Sequence, residues 1–226
     1  MATTQQKLAA ELIGSAILVV AAVTPITLLY SIHNSHIGIA LTANAIAVFF
    51  VLFALIEIFG PISGAHFNPI VTGVMVLNKK TNAKLAPFYI VVQIIGGLIG
   101  IVVSNLMFLN DIGHLLAISQ IQRSGYKYFS EIVATFVLIF VILMIGKADP
   151  KKAPIVVSAL VCGMVFSTSS TMFANPQVTF ARMFTGTASG IRPVDAIIFI
   201  AMQLIGAVLA WLTYKFIFEK VRVKCE

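Results

Sequence analysis

The chain has 226 residues, of which 59% are hydrophobic and 10% charged, and its mean hydropathy is +1.02. This usage lies far outside that of a water-soluble domain. A formal net charge of +7 suggests nucleic acid, but the basic residues follow a membrane topology, and no nucleic-acid partner is expected. A spanning helix needs about 20 mostly apolar residues, and the first such window runs from about 8 to 30. Residues 12–23 have the length of a signal-peptide core. Only Lys7 precedes them and Glu11 opens the run, so they read as a retained first helix. His33 and His36 follow, spaced like a weak metal pair but read as ordinary loop histidines, and no metal is expected. The second window, 38–59, carries Glu57, a carboxylate expected to pair with backbone or to face a subunit boundary. Further windows lie near 86–109, 129–146, 154–172 and 194–218. Cys162 sits inside the fifth and Cys225 in the tail, so the two cannot meet. Runs such as "AIAVFFVLFALIEIF" do not alternate as barrel strands do. The fold class is therefore an all-α membrane protein with six spans.

Placing the N-terminus inside assigns Lys7, Lys79, Lys80, Lys84, Lys147, Lys151, Lys152, Lys215, Lys220, Arg222 and Lys224 to inner segments. Arg123, Lys127, Arg182 and Arg192 fall outside, a ratio of eleven to four that fits the positive-inside rule. Both termini are expected in the cytoplasm, with the basic tail as a stop signal beside membrane lipid.

The chain reads as written twice. "AELIGSAILVV" at 10–20 matches "SEIVATFVLIF" at 130–140, and "VVQIIGGLIG" at 91–100 matches "AMQLIGAVLA" at 201–210. "SGAHFNPIVTGV" at 63–74 is echoed by "TMFANPQVTFAR" at 171–182. Three spans per repeat, about 8–109 and about 129–218 within one channel domain of residues 1–226, make the repeats inverted. Inverted repeats bring corresponding elements together near the midplane. About ten fairly apolar residues follow each Asn-Pro, too few to cross, so these segments read as re-entrant half-helices. Asn is a favoured N-cap and Pro a favoured first residue. With its carbonyl oxygen capping the helix, each asparagine keeps amide N–H groups for a passing oxygen. The half-helix dipoles direct partial positive charge to the same spot and oppose cations and protons.

On these motifs the sequence resembles the aquaporin, or major intrinsic protein, family over its whole length. The resemblance implies a right-handed bundle of six helices plus two half-helices, a pore in each protomer, a homotetramer in the plasma membrane, and no cofactor. Residue by residue it implies that Asn68 and Asn175 are the central donors and that Pro69 and Pro176 start the half-helices. Glu11 and Glu131 become buried carboxylates holding the backbone that leads into each one. His66 is either a packed, hydrogen-bonded histidine or a pore-lining one. Two departures stand out. The family's Asn-Pro-Ala triplets are here completed by Ile70 and Gln177, which puts a larger residue at each crossing of the half-helices and counts both with Asn68, Pro69, Asn175 and Pro176 at the central constriction, Gln177 being either turned into the pore or packed behind it. Val178 stands where the family usually carries a filter arginine. Ungapped counting gives Val48, Gly163, Met172 and Val178 as an uncharged outer filter. Arg182, one turn beyond Val178 on a continuing helix, is expected to be a hydrated vestibule charge and not the size gate.

The function so implied is a passive channel for water and small neutral solutes: glycerol, urea, ammonia or uncharged metalloid hydroxides. The alternative is a proton-coupled transporter using Glu11, Glu57 and Glu131. A membrane enzyme is not expected, because no metal set or activated nucleophile is evident.

Overall fold

Each span starts and stops where the chain supplies local reasons. The computed structural model describes residues 2–220; Arg222, Lys224 and Cys225 lie outside that range. Helix α1 (Thr4–Ile26) opens on a capping box in which Thr3 and Gln6 each bond the other's backbone. Pro25 lies inside it and lacks the N–H that Ala21 would accept. Asn44 of α2 (Ile37–Ser63) compensates by donating to Ala21 O at 3.2 Å and Ala22 O at 3.0 Å. Beyond Pro25 the helix widens into a π-helical turn, Thr27–Ile32. Helix α2 runs through Pro61 and ends on Gly64, whose φ of 93° is left-handed.

The half-helix α3 (Pro69–Leu77) precedes α4 (Ala86–Met107), a single turn α5 (Leu109–Ile112) and α6 (Tyr126–Ala148). Then come α7 (Ala153–Ser167), the second half-helix α8 (Pro176–Ala181) and α9 (Pro193–Thr213). No strand occurs among the described residues. Six segments are long and apolar enough to cross a membrane: Thr4–Ile32, Ile37–Ser63, Ala86–Met107, Tyr126–Ala148, Pro150–Ser167 and Pro193–Phe218. The chain is a multi-pass membrane protein. The fifth span stops at Ser167, short of the expected 172. There Thr168 turns extended and its Oγ1 accepts from Met172 N at 2.9 Å, which commits residues 168–174 to an irregular lead-in.

The inverted repeat is visible in the packing. Helix α1 lies against α4 and α2 as α6 lies against α9 and α7, and each half-helix touches the last span of the other repeat as well as its own. Glycine sets the approach of the closest pairs. A methyl at Gly96 would overlap the Leu12 carbonyl oxygen, and one at Gly206 would overlap that of Ile132. Carboxamide, carboxylate and aromatic groups fill the interior. Large apolar side chains such as Phe50 (63% exposed), Ile58 and Ile197 face outward, which suits a lipid surround. Glu57 also lies on that outer surface of α2, without a hydrogen-bond or ion-pair partner among the described residues.

Candidate functional site

The two half-helices start alike because they are built alike. Asn68 and Asn175 both sit in extended backbone, φ −156° and −155°, and their Oδ1 atoms accept from Ile70 N at 2.9 Å and Gln177 N at 3.1 Å. The residues just before them are strained: Ala65, Phe67, Thr171, Met172 and Ala174 all have φ between 44° and 60°. Such backbone leaves N–H groups that no helix satisfies, and buried carboxylates collect them. Glu11 accepts from His66 N (2.9 Å), Phe67 N (2.7 Å), Ser63 Oγ (2.7 Å) and Gln93 Nε2 (2.8 Å). Glu131 accepts from Phe173 N (3.1 Å), Ala174 N (2.9 Å) and Gln203 Nε2 (2.6 Å). Gln93 and Gln203 each also donate to the threonine four residues past the asparagine, Thr72 at 3.0 Å and Thr179 at 2.9 Å.

The asparagines lock the repeats together. Asn68 Nδ2 donates to Ala174 O and Asn175 Nδ2 to Phe67 O, both at 2.9 Å. A primary amide carries two N–H bonds, so each asparagine keeps one without a protein acceptor among the described residues, and both residues line the main cavity. That cavity, about 500 Å³, begins at the face bearing the chain's start, beside Lys7, Lys80 and Thr81. It passes an apolar wall of Leu52, Ile56, Leu138, Val157 and Val161 and ends at a tier holding Val48, Met172, Phe173, Val178 and Arg182. His66 is on the wall and hydrogen-bonded, with Nδ1 and Thr72 Oγ1 3.1 Å apart.

Three sequence expectations are corrected, for Ile70, Gly163 and Arg182, and the alternative left open for Gln177 falls to the second of its two readings. Gln177 is fully buried behind the wall, its Nε2 3.2 Å from Phe67 O and its Oε1 against Gly97 of α4; it does not line the cavity. Ile70 is likewise buried and off the cavity, in the packing around α6 and α9. Gly163 is exposed and a methyl added to it would meet no neighbour, since Val157, Val161 and Val165, one turn apart, carry the lining face and Gly163 points elsewhere. Arg182 does not stand in a hydrated vestibule. Helix α8 ends at Ala181, and Arg182 opens a 3₁₀ turn through Phe184. Its side chain, 4% exposed, lays the guanidinium over the Phe173 ring with Cζ 3.9 Å from the centroid. Nε donates to Ser189 O, and Nη2 has no partner.

The sequence reading missed the strap over this end. Asp195, fully buried, accepts from Arg123 N (2.7 Å), Tyr128 OH (2.7 Å) and the Arg192 guanidinium (2.7 and 3.1 Å). Arg123 then donates to Gly190 O and Ala188 O and places its Cζ 5.0 Å from the Phe173 centroid. Burial pushes its guanidinium down to about 10, against the pull of Glu131 and Asp195, which leaves it charged at neutral pH. An aspartate two residues after Pro193 is an ordinary first-turn acid, and only the fold reveals that it joins two loops. Asn44 was missed for the same reason: its partner carbonyls are freed by a proline on another helix.

A cavity that runs into a bundle past two crossed helix starts is the architecture of a membrane channel and not of an enzyme. Known proteins of that class match it. The chain belongs to the major intrinsic protein family, whose model matches residues 1–174. Aquaglyceroporin AqpS of Rhizobium meliloti (strain 1021) is 35% identical over 213 residues, covering 94% of this chain and 90% of that protein. Mouse (Mus musculus) aquaporin-4 is 28% identical over 171 residues, 73% of this chain and 52% of the relative. Among solved structures the aquaglyceroporin from Plasmodium falciparum superposes with a TM-score of 0.73 at 16% identity, covering 96% of this chain and 98% of that one, which establishes the fold.

Proposed function

We propose that the chain is a passive channel for water and small neutral solutes of the size of glycerol or urea, ammonia and uncharged metalloid hydroxides included, and that it excludes ions and protons. The observation that carries this reading is the crossed asparagine pair: Asn68 and Asn175 each cap a half-helix started by Pro69 or Pro176, bond across to the other repeat, and keep one N–H on the cavity wall. A single file of solute oxygens accepts from these donors in the middle of an otherwise apolar wall. Cations meet the half-helix N-termini, Lys7, Lys80 and Arg182, and no carboxylate lines the wall among the described residues. Val48, Met172 and Val178 form the uncharged part of the outer constriction.

A proton-coupled transporter needs a carboxylate that exchanges protons with the lumen. Glu11 and Glu131 are saturated by lead-in N–H groups and glutamine amides and stand off the wall, so both are assigned to scaffolding. Glu57 faces outward from the bundle. The working form is a homotetramer in the plasma membrane, a single channel domain per protomer with both termini cytoplasmic and no cofactor. Stopped-flow light scattering on proteoliposomes under water, glycerol and urea gradients, with a pH-sensitive dye inside, tests the reading. Solute flux without proton flux is expected; stoichiometric proton movement overturns it.

A further inference from the structure

Asn44 lines the cavity with only one end of its carboxamide engaged by the protein. It lies on α2 one turn before Val48, on the stretch of wall beyond the asparagine pair, beside Leu18 and Ala22 of α1. Helix α1 decides which end of the amide faces the cavity. Pro25 has no N–H for Ala21 O, and Asn44 Nδ2 stands 3.2 Å from that oxygen and 3.0 Å from Ala22 O. The opposite flip sets Oδ1 against two carbonyl oxygens, so the nitrogen must face the helix. Oδ1 is left over. It accepts from no group among the described residues yet is not sealed in the interior, so it opens on the cavity that Asn44 lines. The neighbouring wall offers no equivalent. Leu18, Val48, Met172 and Val178 have no nitrogen or oxygen in their side chains, and Thr171 turns its hydroxyl onto Ser170 O at 2.6 Å.

We propose that Asn44 Oδ1 is a solute-binding acceptor of the channel, and that it favours small neutral molecules carrying N–H or O–H groups over aprotic ones of the same size; this rests on the channel reading above. The asparagine pair at the centre serves a solute's oxygen, and Asn44 serves its hydrogens. A urea-like amide or a polyol exchanges a bond to water for one to Oδ1 and loses little on entry. An aprotic molecule of equal size displaces water from Oδ1 and leaves that oxygen unpaired, which costs the bond outright. The aim of the acceptor is fixed in advance, because Nδ2 is anchored on α1 at the carbonyl that Pro25 leaves open. A proline on one helix thus orients a solute contact on another.

The test must separate solute contact from support of α1, so it is made in a Pro25→Ala background, which returns an N–H to Ala21 O and should stay within about twofold of wild type. Liposomes at matched incorporation carry wild type, Pro25→Ala or Pro25→Ala with Asn44→Leu. Stopped-flow light scattering then reads urea and dimethyl sulfoxide, two small solutes with an oxygen acceptor of which only urea has N–H groups, after subtraction of empty-liposome rates. Asn44→Leu nearly keeps the side-chain shape and is expected to lower the urea-to-sulfoxide ratio by about fivefold, the scale of one neutral hydrogen bond. Asn44→Ala in the same background removes the oxygen without adding bulk, and must lower the ratio too where the leucine variant does not incorporate. If Asn44 is only a strut, the ratio stays at that of Pro25→Ala or both rates fall together, and either result overturns the proposal while the channel reading stands. A wild-type channel that passes dimethyl sulfoxide as fast as urea overturns it without any variant. Wild-type liposomes no more permeable than empty ones overturn both readings.

Discussion

Replacing Glu131 by alanine removes the acceptor for three donors at once: Phe173 N, Ala174 N and Gln203 Nε2. All three lie in a fully buried setting, and two belong to backbone held at or beside a left-handed φ that cannot relax into a helix. At about 1–3 kcal/mol per stranded donor the loss is about 3–9 kcal/mol. Water from the neighbouring cavity can reach the emptied space, which keeps the loss near the lower figure. Even about 3 kcal/mol is a large share of the 5–15 kcal/mol that holds a typical fold, and for a chain of this size it lowers the melting temperature by about 10 °C. Glu131→Gln keeps one acceptor oxygen but turns an N–H toward donors, so it should fall between. Fluorescence-detected size exclusion after graded heating reads the folded fraction directly. Glu11→Ala, which also leaves Ser63 Oγ with only the longer bond to Phe59 O, should cost at least as much. If Glu131→Ala melts within about 2 °C of wild type and instead loses a pH-dependent component of transport, the carboxylate is a proton carrier and the scaffolding argument fails.

Other outcomes follow from the same geometry. Gln177→Ala should leave water and glycerol permeability within twofold of wild type in stopped-flow assays, because the side chain lies behind the wall; a large change in selectivity puts it in the pore after all. Val161→Phe should cut glycerol flux several-fold while Gly163→Ala changes it little, since only residue 161 is on the lining face. Gly206→Ala drives a methyl into the Ile132 carbonyl oxygen, and thermal scans should show a loss of at least about 2 kcal/mol; a neutral result means that α6 and α9 are free to separate.

The spans, the inverted repeat and both half-helix starts could be read from the sequence because each rests on a local signal: apolar length, an Asn-Pro cap, a glycine at a crossing. The glutamates were legible through their doubled position relative to the asparagines. What was not legible depends on where side chains go after the backbone bends. Counting forward from Asn175 as if α8 continued for about ten residues put Arg182 on the outward side of Val178, but the helix lasts six residues. The fate of the arginine is set by Phe173, nine positions earlier, and by Ser189, seven later. Gly163 was misplaced for a related reason, because counting back through residues 168–174 treats irregular backbone as if its register were known.

The cross-bonds at the centre also impose an order in time. The Ala174 carbonyl that receives Asn68 Nδ2 is 106 positions farther along the chain, and the Phe67 carbonyl waits for both Asn175 and Gln177. At a synthesis rate of about 5–20 residues per second, the first half-helix exists for on the order of 10 s before its partners have been made. Throughout that interval its lead-in has polar groups that hydrocarbon cannot satisfy, so the segment from Gly64 to Leu77 must stay at the wetted edge of the bilayer or in a protein-lined shelter. It reaches membrane depth only as the second half closes on it. The pore is thus among the last parts of the molecule to form, and a chain interrupted just before Asn175 holds five of its six spans but no passage.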